Sequence, residues 1–276
     1  MNPSADTGSP HPALHDVTAA NRVSWNAIHH ARPGRPAAFF AAGGSTLSAE
    51  EIAAAGDVTG RRVLQLACSC GDEALSWATL GASVTGIDIS GVAIGLARAK
   101  SVEAGIPVDF RRADMFNLPA DLTDLDLIYL SWGAICWVPD LTTWATLIAD
   151  RLHPDGSVLI ADHHPLWEVL AVTGPETLTL TADYFSRTTP RPTIHNAKLP
   201  AGARDAPNPP TFTAYIWPPS DIITALLSAG LYLTHFTESP VPDIYAGLTS
   251  PTHLPASYLI RATKNVSRGT TPRITK

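Results

Sequence analysis

With 276 residues, 45% of them hydrophobic and 16% charged, the chain can bury a sizeable core, and this composition excludes a disordered polypeptide. Its formal charge of −6, from 19 Lys and Arg against 25 Asp and Glu, argues against a protein that tracks nucleic-acid phosphates on a basic face. Three cysteines, two of them (Cys68 and Cys70) one residue apart, make neither a disulfide framework nor a zinc-type set, and with no basic leader and no apolar run of the roughly 18–20 residues that span a bilayer, a cytoplasmic protein without metal or membrane is expected.

In chain order, residues 1–12 are polar and turn-rich and read as a flexible tail. Residues 13–57 read as an N-terminal helical lid. A helical pattern over 14–30 sets Val17, Trp25 and Ile28 among polar residues and is stopped by Pro33 and Gly34. Ser48, with Glu51 three residues on, forms a capping box that starts a second helix. From residue 58 the pattern changes to short apolar runs alternating with helical ones. Strands are expected at 62–68, 83–89, 108–112, 125–130 and 157–162, with helices at 71–80, 90–104 and 141–152 between them. Ser90 caps the middle helix and Gly105 ends it.

Strands alternating with helices mean βαβ units and a doubly wound, largely parallel α/β sheet. The rhythm breaks at 165–213, where six prolines fall between Pro190 and Pro210. A stretch of that length inside a domain reads as a substrate lid or insertion. The core, 58–164, resumes at 214–264 with a helix capped by Ser220 and Asp221 and running to 229, then strands at 232–237 and 257–262. A second polar tail follows at 265–276.

The informative stretch is 63–88. A strand (VLQLA) enters a tight turn at Cys68–Gly71, a helix follows, and the next strand ends in Asp88. Ligands of doubly wound sheets sit at the carboxyl ends of the strands, and an acid about 20 positions after the turn suits both hydroxyls of a ribose. The turn has one glycine, Gly71, where a dinucleotide fingerprint wants several to approach a pyrophosphate. A phosphate-free nucleotide asks only for small residues there. A second acid, Asp114, ends the third strand beside Met115, placed to accept from an adenine amine while the Met115 N–H meets a ring nitrogen.

Taken together, VLQLACSCG, TGIDIS, RRADMFNLP, LIYLSWGAICWVPD and LHPDGSVLIADHHP resemble the successive motifs of the class I S-adenosylmethionine-dependent methyltransferases of small-molecule type. The resemblance implies a Rossmann-like, seven-stranded sheet of order 3-2-1-4-5-7-6 with the last strand antiparallel. It implies S-adenosylmethionine as cofactor, held by Gln65, Ala67, Gly71, Asp88, Ile89, Asp114, Met115 and Ser131. The sequence departs from the family pattern where the usual acid is Gln65 and two usual glycines are Ala67 and Ser69. Asn21-Arg22 and Trp25 resemble the leading helix that folds over the cofactor, which adds Trp25 to the contacts.

His163 and His164 follow the fifth strand on the substrate side, and either is a candidate general base for a hydroxyl, amine or ring N–H. Trp132 and Trp167, with Tyr184, His195, Tyr215 and Tyr245, are candidate substrate contacts, while Trp137 and Trp144 read as helix-packing aromatics. Plain readings stand beside these: Asp88 and Asp114 as caps, Gly71 as a turn glycine, the histidines as hydrogen-bonded turn residues. The expected activity is methyl transfer to a small-molecule acceptor, a metabolite or natural product. A non-catalytic cofactor-binding regulator and a protein or RNA methyltransferase are the other readings. The oligomeric state is open, a homodimer through the N-terminal helix being one arrangement.

Overall fold

In the computed structural model, the described residues are 12–185, 191–192 and 210–264. Helix α1 (Pro12–Ile28) runs into a single 3-10 turn, His29–Ala31. Two short helices follow, α2 (Ala37–Ala41), which the sequence pattern does not announce, and α3 (Ala49–Ala55). The capping box of α3 is formed: Ser48 Oγ accepts from Glu51 N at 3.1 Å, and Glu51 Oε2 accepts from Ser48 N at 2.7 Å. Its other oxygen, Oε1, reaches inward to accept the hydroxyl of Tyr129, so one buried acid both caps a helix and satisfies the core.

The alternating part consists of β1 (Arg62–Leu66), α4 (Asp72–Thr79), β2 (Ser83–Asp88), α5 (Gly91–Ala104), β3 (Asp109–Arg112), β4 (Leu125–Ser131), α6 (Leu141–Arg151) and β5 (Leu152–His163). After β5 come α7 (Leu166–Val169), a hairpin of β6 (Leu170–Gly174) and β7 (Thr177–Leu180), and the small pair β8 (Arg191–Pro192) and β9 (Thr213–Ala214). Helix α8 (Pro219–Ser228), β10 (Tyr232–Ser239) and β11 (Ser257–Thr263) close the fold. The start of α8 departs from expectation. Ser220 and Asp221 lie in its first turn rather than at its N-cap, which is Pro218, and Pro219 occupies the first helical position, where its missing N–H is no loss.

Seven strands form one sheet in the order β3-β2-β1-β4-β5-β11-β10, which is the expected 3-2-1-4-5-7-6. β11 is antiparallel to both β5 and β10, and the inner pairs are parallel. Side-chain alternation divides the central strands between two cores. Leu64, Leu66, Ile128 and Ile160 pack beneath α6 and α8, whereas Val63, Tyr129 and Leu159 pack on the other face with Trp77 and Ile94. Phe40 and Leu47 belong to that second core, which confines the lid reading of 13–57 to α1 and the segment just after it. Among the described residues, no helix is long and apolar enough to cross a membrane. His195 lies outside the described residues.

Candidate active site

The sheet order reverses between β1 and β4, and a crevice opens there at the strands' carboxyl ends. Its floor is the turn after β1. Ala67 and Ser69 both have φ of 49°, and Gly71 follows at 81°. The two positions that depart from glycine thus keep the left-handed backbone, at a cost on the order of 1–3 kcal/mol each. Gly71 is irreplaceable for a separate reason, since a Cβ there would run into the ring of Phe110.

Asp88 ties this turn to the next helix. Its Oδ2 accepts from Ser69 N at 2.9 Å and its Oδ1 from Ser90 N at 2.8 Å. Burial pushes its pKa up to about 6, and the two backbone donors hold it from rising further. Each oxygen keeps a second lone pair for a ligand hydroxyl. Asp114, at the end of β3, accepts from Phe116 N at 2.9 Å and lines the cleft beside Met115.

The loop after β4 is shaped by Asp162. Its carboxylate accepts from the backbone N–H groups of Gly133, Ala134 (3.1 Å), Ile135 (3.0 Å) and His163 (2.7 Å). Burial opposes its charge, but the neighbouring His163 imidazole, 3.6 Å away, and the N–H groups of Ile135 and Gly133 hold the carboxyl below the usual range.

The roof is α1. Asn21 clamps the backbone of Thr213, donating to its carbonyl and accepting from its N–H, both at 2.8 Å, and Ser24 donates to Thr211 O. Trp25 packs against His29, Trp137 and Phe212 with ring centroids 4.8–5.1 Å apart. His29 donates from Nδ1 to Trp25 O at 2.9 Å, so its Nε2 accepts from Ser69 Oγ at 3.2 Å. Burial lowers the His29 pKa to about 4, which keeps the ring neutral and this tautomer in place. The chain after α1 is fixed to the floor as well: Lys100 donates to Pro33 O, and Arg35 N donates to Asp72.

These elements line an open cleft of about 820 Å³, part of it open solvent. Of the residues expected at the cofactor, Trp25, Ala67, Asp88 and Ile89 line it, as do Asp114, Met115 and Ser131. Gln65 and Gly71 do not. Gln65 is buried below the floor, and Gly71 is the turn's packing point against Phe110. Trp132 lines the cleft, and so does Trp137, which at the same time packs against α1 as a helix-packing aromatic. It sits in a 3-10 turn (Ile135–Trp137), to which helical spacing does not apply, while Trp144 is buried in the core.

The two histidines part company. His163 packs between Trp132 (5.1 Å) and Trp167 (4.7 Å), its Nδ1 lies 3.6 Å from Asp162, and it lines a recess beside the cleft that also holds Tyr215. His164 turns away: its Nδ1 accepts from Leu166 N at 3.2 Å, and its Nε2 meets Glu238 at 2.9 Å. Tyr245 is also removed from the cleft, buried with its hydroxyl on Pro255 O at 3.4 Å. Tyr184 packs on Phe185 and lines neither opening. Sequence reasoning missed His29 and Phe212. A signal existed for His29, which stands one helical turn beyond Trp25.

The donor set fits an S-adenosyl nucleoside. Asp88 and Asp114 offer acceptors to hydroxyls and an exocyclic amine, Ile89 and Met115 offer apolar surface, and the carboxamide oxygen of Gln65 is buried beneath the turn with no donor.

Residues 63–156 match a protein-family model described as "Methyltransferase domain". Among curated proteins, the chain is similar to the ubiquinone biosynthesis O-methyltransferase of Bordetella pertussis, 30% identical over 165 residues, covering 57% of this chain and 66% of that protein. The enzyme of the same name from Xanthomonas oryzae pv. oryzae is 32% identical over 141 residues, covering 50% of this chain and 56% of the relative. The chain therefore spans between about half and two thirds of the length of these relatives. Among solved structures, an S-adenosylmethionine-dependent methyltransferase from Mesorhizobium loti superposes with TM-score 0.60 at 22% identity, covering 78% of this chain and 95% of that one. A geranyl diphosphate methyltransferase solved with GPP and sinefungin gives 0.54 at 13% identity, covering 79% and 77%. At these identities the two structures speak for the fold.

Proposed function

We propose that this chain, which carries a class I S-adenosylmethionine-dependent methyltransferase domain, transfers the cofactor's methyl group to a small-molecule acceptor. The observation that carries the reading is the pairing, in one cleft, of two strand-end acids with an aromatic wall made of Trp25, Trp132 and Trp137. Asp88 would hold the ribose and Asp114 with the Met115 N–H the adenine. When bound, the cofactor supplies an electrophilic methyl group on sulfur. Displacement of this kind depends chiefly on proximity, alignment and exclusion of water, and the α1 roof provides the cover.

An acceptor hydroxyl must lose a proton as it is methylated, and His163 is the residue we assign to take it. Asp162 at 3.6 Å and the flanking Trp132 and Trp167 rings orient the imidazole. The relatives named as O-methyltransferases favour a hydroxyl over an amine. The indole-rich wall suits an apolar, aromatic acceptor.

The test is calorimetric titration with S-adenosylmethionine and S-adenosylhomocysteine, with NADH and NADPH as controls, on the wild type and Asp88→Ala. Micromolar binding of the sulfur nucleosides, lost in the variant, is the expected result. Failure to bind either, or tighter binding of a nicotinamide, overturns the reading.

A further inference from the structure

Beside the main cleft, and sharing Ala67, Ser69, Ser131 and Trp132 with it, is a second opening of about 830 Å³ that reaches down to the start of α4. Its lining includes one carboxylate in an unusual state. Asp72 is committed, ion-paired to Lys100 and accepting from Arg35 N. Glu73, the next residue, has no cationic partner among the described residues; its side-chain hydrogen bond is a long one, 3.4 Å, from Gln65 Nε2. Burial and the neighbouring charges of Asp72 and Glu51 raise its pKa to about 7. A fold leaves a carboxylate so poorly compensated only at a cost, which a cationic ligand can recover.

Gln65 points to the same place. It stands where the first motif usually carries its acid, it is buried, and its amide nitrogen is shared between Glu73 and Ser131 Oγ (3.3 Å). That orientation leaves its Oε1 with no donor. Glu73 and Gln65 thus lie together under the end of the cleft nearest the β1 turn. Arg32 also lines this opening, so an acidic and a basic residue border a single space. The matching ligand is a zwitterionic amino acid.

We propose that Glu73 supplies the anion the first motif lacks: its carboxylate, positioned by the Gln65 carboxamide, receives the ammonium of the cofactor's amino-acid tail. The acid has in effect moved from the strand to the first turn of the following helix, one side chain away.

This inference rests on reading the cleft as an S-adenosyl site, and the experiment separates the two. S-Adenosylhomocysteine and 5′-methylthioadenosine, which lacks the amino-acid tail, are titrated calorimetrically into the wild type, Glu73→Gln, and the charge-transplanted double variant Gln65→Glu with Glu73→Gln. The wild type should prefer the tailed ligand. Glu73→Gln should weaken S-adenosylhomocysteine by about tenfold or more, the scale of a charge-assisted hydrogen bond, and leave 5′-methylthioadenosine unchanged. The double variant should regain most of the loss. Unchanged S-adenosylhomocysteine binding in Glu73→Gln, or equal weakening of both ligands, overturns the assignment while the site itself stands. If the wild type binds neither ligand, the S-adenosyl reading fails and this inference with it.

Discussion

The two ends of the cleft are built on different principles. At the end we assign to the cofactor, Ser69, Asp88 and Ser90 fall within a single βαβ unit, and backbone N–H groups fix their geometry. At the end we assign to the acceptor, Trp25, Trp137 and Phe212 come from three segments far apart in the chain and are held by ring packing. The first end is specified locally, by hydrogen bonds among residues of neighbouring strands and turns. The second exists only while α1 is docked. A scaffold of this kind can exchange its acceptor specificity without disturbing its cofactor site.

The comparison can be sharpened most at the paired histidines. Replacing His163 with Ala should lower kcat by about 10²–10⁴, the usual range for a general base, with little change in cofactor affinity. Replacing His164 with Ala should leave turnover nearly intact and instead cost about 1–3 kcal/mol of stability, because Glu238 and Leu166 N lose their partner. Steady-state kinetics and thermal melts on both variants read this out, and equal kinetic losses would sink the assignment.

Asn21→Ala probes the roof. It removes both bonds to Thr213 and should weaken α1 docking by about 1–3 kcal/mol, leaving the Thr213 amide unpaired. Faster proteolysis within α1 and a raised acceptor KM, with cofactor affinity less affected, are the expected signs. A cofactor affinity that falls as far as acceptor affinity would contradict the division drawn here.

On the floor, Glu73 makes a stability prediction. Its folded pKa of about 7 lies above the ordinary 4.5, so the fold favours the protonated acid. Its contribution is full below pH 4.5 and is lost as pH rises through 7. Glu73→Gln should therefore melt like the wild type in acid and be more stable above pH 7 by about 1–2 kcal/mol, discounted for partial exposure. A variant less stable than wild type at pH 8 would show that the carboxylate is already compensated. The smallest effect is expected at Ala67, whose left-handed backbone glycine adopts freely: Ala67→Gly should stabilise by about 0.5–1 kcal/mol, measured by denaturant titration.

What the sequence disclosed follows the same division. The strand order and the positions of Asp88 and Asp114 were legible because short apolar runs and strand-end acids are local patterns. The different surroundings of His163 and His164 were not, because they depend on Glu238 reaching across from β10. That Trp137 also faces the cleft was not legible, because its 3-10 turn carries no helical periodicity. Glu73 went unnoticed for a subtler reason. An acid in a helix's first turn is ordinarily explained by the helix dipole, and its lack of a cation shows only in three dimensions.

The Asn21–Thr213 clamp joins two pieces of chain 192 residues apart, the leading helix and the strand that ends the long insertion. Under the proposed function, α1 could lift only by opening this clamp, and exchange of acceptor and product would then turn on two hydrogen bonds that touch neither reactant.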